Sequence, residues 1–480
     1  MTLAESLGNY CASLEFDALP GDVVAAAKLK ILDTFACAFA ALGTETAAIL
    51  ERSLSSFAPD GGAALWGFGR NGPALDAAFS NATLTHALLH DDTDLESGHV
   101  ACQVVPAVLA AAASRRGETQ HVDGRDMLTA IVAGYEVMWR GSACGAVVKG
   151  SLERSFRGFV VNGALGAAAA AARTFGLDGA GHCAALSCAA NAVSGLLEPV
   201  GVASIERSVM VGNNSRAGLH AAMLSRCGLK GTSTILEGPQ GYFQAVGGNA
   251  ALMSDAITAG LGKRHRIVET LYKIYPSAGA NQSAIYAADV AYRRHRPDPN
   301  SIAEVRVVQY PLFGRAVRLS TGKPAYPAIV STGPYHDVEQ SLPNKPFGVA
   351  SMLLYGRHDY TAIIKGLNDV RLLRLAEKVT SDGDDGFGPF DANIEILMND
   401  GRRIVERVDC ANEPRFFPTM ETISGRFQTM CGTHVDRAMI DGLIGTVEAV
   451  DQPGGGDRLL EFLGSMGNLW AKNGVGMQTE

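Results

Sequence analysis

The chain has 480 residues, with 41 Lys plus Arg against 49 Asp plus Glu, a formal net charge of −8; 47% of it is hydrophobic and 19% charged. That hydrophobicity excludes a disordered chain, the lack of a short repeat excludes a fibrous one, and the acidic balance argues against nucleic acid as a partner, which calls for a basic patch. Glycine is the outlier, since 55 of 480 is about 11% against a usual share of about 7%.

The N-terminus MTLAESLGNYCASLEF has no basic stretch followed by an apolar one, so no secretory signal is expected. Asp22 to Leu42 places Val23, Ala26, Ala27, Ile31, Thr34 and Cys37 at helical spacing, capped by Asp22 and stopped at Gly43. Ala-rich helical segments follow at 73–91, 103–115, 126–140, 160–175, 180–197, 214–227 and 254–262. The longest apolar run, Phe159 to Ala172, contains Asn162 and stops at Arg173, short of the roughly 18 residues a membrane span needs, so no membrane is expected as a partner. Near Lys263 the texture changes. Ser283 to His295 reads as a helix, Ile302 to Tyr310 alternates as a half-buried strand, and Val349 to Tyr355 and Leu367 to Val379 read as helices. Residues 392–409 hold two alternating strands joined at Asn399-Asp400-Gly401, a hairpin signal. Helices return at Glu421 to Gln428 and His434 to Val450, and a last short helix follows the break at Gly454 to Gly456.

The fold class expected is mainly α with an α+β insertion. An all-helical domain formed by 1–264 and 412–480 would carry a smaller α+β lid domain, 265–411. The nine cysteines (Cys11, Cys37, Cys102, Cys144, Cys183, Cys188, Cys227, Cys410 and Cys431) are odd in number, widely spaced and without C-x-x-C. They read as reduced thiols of a cytoplasmic protein, packed as small hydrophobes.

The segment Gly67-Phe68-Gly69-Arg70-Asn71-Gly72 matches G-x-G-x-x-G. No second strand follows its helix, so there is no βαβ unit and the match reads as a Gly-rich turn. The densest polar cluster is HALLHDDTDLESGHV, 86–100, with His86 and His90 at i, i+4 on one helix face. Its His and carboxylate side chains would suit a metal, but the favoured reading is the metal-free polar edge of an active site. Three further segments set cations in apolar surroundings: Arg154 to Arg157, then Arg207 and Arg216 around a Gly/Asn turn at Gly212, and Lys273, Tyr275 and Ser277 in LYKIYPSAGANQ. Arg presents a planar fork that matches carboxylates. The glycines would supply both close helix packing and turns at Gly67–Gly72, Gly212 and Gly238–Gly241 bordering the cleft.

In these segments the chain resembles the MmgE/PrpD family. The matching pieces occur in order over about 430 residues: ALWGFGRNGP, NATLTHALLHDDT with His99 and Pro106 downstream, GYEVMWR, GALGAAAAAARTFGLD, AGLHAAMLSRCGLKG, ILEGPQGYF and KIYPS. Family activities include dehydration of 2-methylcitrate, decarboxylation of cis-aconitate and epimerisation of iminodisuccinate. The resemblance implies a discontinuous helical domain with an inserted α+β domain, usually as a homodimer. Thr93 and His99 match polar active-site positions, Asp91 and Asp92 the paired acids, and Lys273 the lysine of K-x-Y-P. Departures are as clear: Leu89 stands for an aspartate, Arg157 for a histidine, Arg207 for a lysine, Ser208 and Met210 for an Arg and a His, Ala278 and Gly279 for a Cys and an Arg, and Gln282 for a later His.

The resemblance implies a small anionic di- or tricarboxylate substrate and no cofactor. The hard step is removing a proton beside a carboxylate, which preorganised cations ease. His99, Lys273, Thr93 and Asp92 are the candidate catalytic residues, His99 first as base or acid because an imidazole titrates near neutrality. Arg157, Arg207, Tyr275 and Ser277 are the candidate substrate ligands. A hydro-lyase is the leading expectation, an isomerase or epimerase the second, and a non-catalytic carboxylate-binding relative the third.

Overall fold

The computed structural model describes residues 1–57, 60–94, 96–116, 121–142, 146–247, 255, 257–314, 318–322, 324–432 and 435–472. Helix α1 (Leu3–Ser13) opens on a capping box between Thr2 and Glu5. Helix α2 (Gly21–Ala40) buries every residue from Leu29 to Ala40, so it is a central helix rather than a half-exposed one. After α3 (Glu45–Phe57), strands β1 (Ala63–Leu65) and β2 (Arg70–Gly72) pair antiparallel, with Ala63 opposite Gly72. The G-x-G-x-x-G segment supplies the end of the turn and the second strand of this small hairpin. Gly67 and Gly69 have φ of 82° and 65°, and a Cβ on Gly69 would lie 2.5 Å from the Asn468 backbone nitrogen, so the glycines serve chain geometry.

Next come α4 (Ala74–His86), α5 (Ala101–Arg115), α6 (Gly124–Gly141), α7 (Ala146–Glu153), α8 (Gly163–Thr174), α9 (Gly179–Ala190), α10 (Glu198–Gly201) and α11 (Glu206–Arg226). Helix α8 is buried continuously from Gly163 to Ala172, packed against α5, α6, α9 and α11. Small residues make that possible: a Cβ on Gly218 would approach the Ala167 Cβ to 2.5 Å, and one on Gly166 the Met138 Cβ to 2.7 Å.

Several sequence expectations are corrected here. The segment 180–197 is helical only to Ala190, and 73–91 only to His86. Gly212 is no turn: α11 runs unbroken through it, and a Cβ there would sit 2.1 Å from Thr83 Oγ1, so the glycine seats α11 on α4. Of the 254–262 segment, 255, 257 and 258 are helical while 254 and 256 lie outside the described residues, as do Cys144 and His434.

The second part of the chain builds a four-stranded sheet. Strand β3 (Ile302–Gln309) pairs parallel with β4 (Val379–Gly383) and antiparallel with β5 (Asp391–Met398), which forms a hairpin with β6 (Arg403–Asp409). Strict alternation in β5 and β6 buries Ala392, Ile394, Ile396 and Met398 opposite Ile404 and Val408. The Leu367 to Val379 helix ends at Ala376 and Val379 starts an edge strand, which its sequence VTSDG does not signal. The helix Gln282–His295 covers β5 and β6, and Lys345–Tyr355 packs on it. The chain then returns: Met420–Cys431 packs on α2, followed by Arg437–Glu448 and Gly455–Ser465. One apolar cluster runs from Leu3 to Leu469 and includes the inner face of the sheet. Among the described residues no helix is long and apolar enough to cross a membrane.

Candidate active site

The segment from His86 to Ala101 builds the site. Helix α4 stops at His86, and the chain then turns through Leu89 at φ 49°, in the left-handed region. His86 and His90 therefore do not share a helix face. The His90 ring reaches the Ile274 carbonyl at 2.9 Å, while His86 Nδ1 lies 3.0 Å from both Asp91 oxygens. The two acids diverge. Asp91 Oδ2 is 3.2 Å from His99 Nδ1, and its Oδ1 is 3.4 Å from Lys273 Nζ. Asp92 faces the other way, toward Lys30 Nζ at 3.2 Å, the Tyr135 hydroxyl and the Ala101 amide at 3.0 Å. It thus anchors the N-terminus of α5 directly behind His99.

Protonation follows from these contacts. Burial alone would raise the Asp91 carboxyl, but His86, Lys273 and His99 together hold it well below the usual carboxylate range. His99 Nδ1 sits between two acceptors, Asp91 Oδ2 and the Asp92 carbonyl, each at 3.2 Å, so it carries the proton. Burial, then Lys273, lowers the His99 pKa below its ordinary value. The ring is neutral at pH 7 and its Nε2 holds a free lone pair. His86 is fixed likewise: Arg157 Nη2, always a donor, lies 3.1 Å from His86 Nε2, so Nδ1 donates to Asp91, and burial holds its pKa well down. The two rings meet edge to face at 4.6 Å.

A cavity of about 100 Å³ opens beside this cluster, and His99, Thr93, Arg157 and Arg207 line it. Thr93 is held by a pair of backbone bonds with Leu271, at 2.9 and 3.0 Å. Gly279 leaves room for it, since a Cβ there would lie 2.7 Å from Thr93 Oγ1. Arg157 sits in a loop fastened to 195–197 by its amide bond to the Gly195 carbonyl at 2.7 Å. Burial pushes its pKa down only to about 10, so it stays charged at pH 7. Arg207, on the first turn of α11, pairs with Glu339 and donates to Ser204 O, and its Nε has no partner among the described residues.

The other four expected residues do not line the cavity. Lys273 is sealed, bonded to the Leu89 carbonyl at 2.8 Å and facing Asp91. Asp92 is sealed in the anchor described above. The Tyr275 hydroxyl bonds Asp289 at 3.1 Å and the Ser277 hydroxyl bonds the Leu342 carbonyl at 2.8 Å, so both brace the loop that carries Lys273. Arg216 is exposed on the far face of α11. His86, Asp91 and Cys102 could bring three ligand atoms within 4.8 Å of one another, but Lys273 and Arg157 already occupy Asp91 and His86 with positive charge.

Four residues that sequence reading missed complete the site. Lys30 falls on the apolar stripe of α2, seven residues after Val23, where a charge needs a buried partner; that was its signal. Arg426 bonds Asp33 at 2.8 Å and the Lys273 carbonyl at 2.7 Å, holding the loop from the returning helix. Glu339 on the helix Val338–Ser341 and Tyr326 at the cavity wall come from segments without periodicity. The Tyr326 hydroxyl has no partner among the described residues.

Comparison with known proteins identifies the family. Residues 5–254 match the MmgE/PrpD N-terminal domain. A cis-aconitate decarboxylase of Aspergillus terreus is 25% identical over 479 residues, covering 95% of this chain and 94% of that protein. Cis-aconitate decarboxylases of Homo sapiens and Mus musculus are 29% and 28% identical over 243 residues, about half of each chain.

Proposed function

Because the chain belongs to the MmgE/PrpD family, we propose that it is a cofactor-independent lyase, a hydro-lyase acting on a small di- or tricarboxylate. The observation that carries this is His99: its Nδ1 is engaged by two acceptors, and its neutral ring borders a cavity that also holds Arg157 and Arg207. Substrate carboxylates pair with the two guanidinium groups. His99 Nε2 takes the proton from the carbon beside a carboxylate, and the arginines neutralise the charge that develops there. The C–H electron pair becomes the new double bond as the neighbouring C–O bond breaks. Thr93 orients the departing hydroxide, which takes the proton back from His99 and leaves as water. Asp91 acts through His99 by fixing its tautomer, and Lys273 balances Asp91. The family resemblance supports extending the proposal to a cytoplasmic homodimer with 265–411 as the inserted domain.

The similarity to cis-aconitate decarboxylases favours a second reading, decarboxylation, in which His99 Nε2 first takes a proton from solvent and delivers it to the carbon as CO₂ leaves. Incubation with citrate, 2-methylcitrate and cis-aconitate separates the two. Alkene formation from a hydroxy acid, abolished in His99→Gln, is expected for the hydro-lyase. CO₂ release from cis-aconitate without dehydration of any hydroxy acid selects the decarboxylase. Solvent deuterium uptake without loss of any group points to epimerisation instead, and carboxylate binding without exchange points to a non-catalytic relative.

A further inference from the structure

We propose that the substrate is amphipathic: a dicarboxylate head bound by Arg157 and Arg207, carrying a hydrocarbon arm that lies along an apolar wall of the same cavity. The inference rests on the reading of this cavity as a carboxylate site and adds the class of substituent.

Val148, Leu152, Leu197, Val200, Ala325 and Tyr326 form an apolar cluster separate from the main core, with Phe159, Leu319 and Ile329 packed against it. Six of these residues (Val148, Leu152, Phe159, Val200, Tyr326 and Ile329) line the cavity. They come from three directions. Val148 and Leu152 are one turn apart on the same face of α7, Val200 is on α10, and Ile329 is on the short helix Pro327–Val330. Leu312, 36% exposed, and Val330 extend the wall. A small satellite cluster whose members pack together and also border a cavity leaves apolar surface that a ligand can desolvate.

The polar side chains lining the cavity among the described residues are few: Thr93, Asp94, His99, Arg157, Arg207 and the Tyr326 hydroxyl. Two guanidinium groups match two carboxylates. A third carboxylate pressed against the aliphatic wall would lose its hydration with only the Tyr326 hydroxyl as a partner among the described residues, at a cost of several kcal/mol. A hydrocarbon arm there gains about 0.8 kcal/mol per buried CH₂. The lining therefore favours a chain at that wall over a further charge.

The test uses saturated alkylsuccinates, which lack a leaving hydroxyl and so report binding alone. Succinate and its methyl, propyl, butyl and hexyl derivatives are titrated calorimetrically against the full-length protein. Affinity is expected to rise about fourfold per methylene, the conversion of about 0.8 kcal/mol per CH₂, and to level off once the cavity is full. In Ile329→Thr and, independently, in Val330→Thr, both at half-buried positions, the increment per methylene shrinks. A flat or falling wild-type series with measurable succinate binding overturns the arm and leaves the carboxylate reading standing. Failure of every member of the series to bind overturns both.

Discussion

Asp91→Asn separates the structural from the chemical work of the buried cluster. The Asp91 carboxylate is the only carboxylate that the described residues bring to Lys273, 3.4 Å from Nζ. Two unit charges at 3.4 Å interact by about 5 kcal/mol at an effective dielectric constant of about 20. Leaving one buried partner unpaired generally costs about 3–5 kcal/mol. A domain is stable by only about 5–15 kcal/mol, so Asp91→Asn folds with a clearly lowered denaturation midpoint. The variant also removes the carboxylate, one of the two acceptors that fix the Nδ1–H tautomer of His99, and loss of such a carboxylate behind a catalytic imidazole can lower kcat by about ten-thousand-fold. Adding Lys273→Met removes the uncompensated charge. Urea denaturation of wild type, Asp91→Asn and the double variant, each with a turnover assay, reads both quantities. The double variant should recover most of the lost stability and none of the activity. Turnover of Asp91→Asn within about twofold of wild type would refute the role given to His99, and a double variant less stable than the single one would refute the pairing.

Other consequences are reached by simpler measurements. Gly212→Ala would push a methyl to 2.1 Å from Thr83 Oγ1 and 2.6 Å from the Phe79 carbonyl, and overpacking of this kind costs about 1–3 kcal/mol; a lowered thermal midpoint without loss of carboxylate binding is expected. Tyr275→Phe removes a hydroxyl that reaches Asp289 rather than the cavity, so it should lower stability and leave KM within about twofold. Stability should fall with acid, because burial lowers the pKa of both His182 and His358 to about 4. Their unfolded forms take up protons near pH 6.5 while the folded forms cannot, so the contribution is fully present above pH 6.5 and is lost as pH falls toward 4. It amounts to about 3 kcal/mol per histidine, and denaturation midpoints between pH 7 and about 4 with His182→Gln and His358→Gln as controls read it.

Where sequence periodicity and turn chemistry agree, they locate the structure well. The Asn399-Asp400-Gly401 hairpin lies where β5 meets β6, and the Ala/Gly texture of 163–174 is a buried helix. Periodicity fails where tertiary contacts decide. Strand β4 exists because β3 offers its edge to VTSDG, and α11 runs through Gly212 because α4 needs the space. Of the candidate site residues, His99, Thr93, Arg157 and Arg207 line the cavity. The other candidates, Lys273, Asp92, Tyr275 and Ser277, lie outside its lining; spacing cannot distinguish them from cavity residues because they flank the same loops. Lys30 and Arg426 were hidden for the opposite reason: they reach the cluster from helices distant in sequence, α2 and the returning helix. The abundance of glycine has its clearest source in helix contacts. Neither Gly67–Gly72 nor Gly238–Gly241 lines the cavity.

The central claim is that His99 is a neutral base presenting Nε2 to the cavity, and ¹⁵N NMR of the histidine-labelled protein tests it without requiring the substrate. The His99 resonances are assigned by their absence in His99→Gln. At pH 7 the expected spectrum is that of a neutral Nδ1–H ring, which titrates only below pH 6.5. An imidazolium at pH 7, or a neutral ring protonated on Nε2, would contradict it.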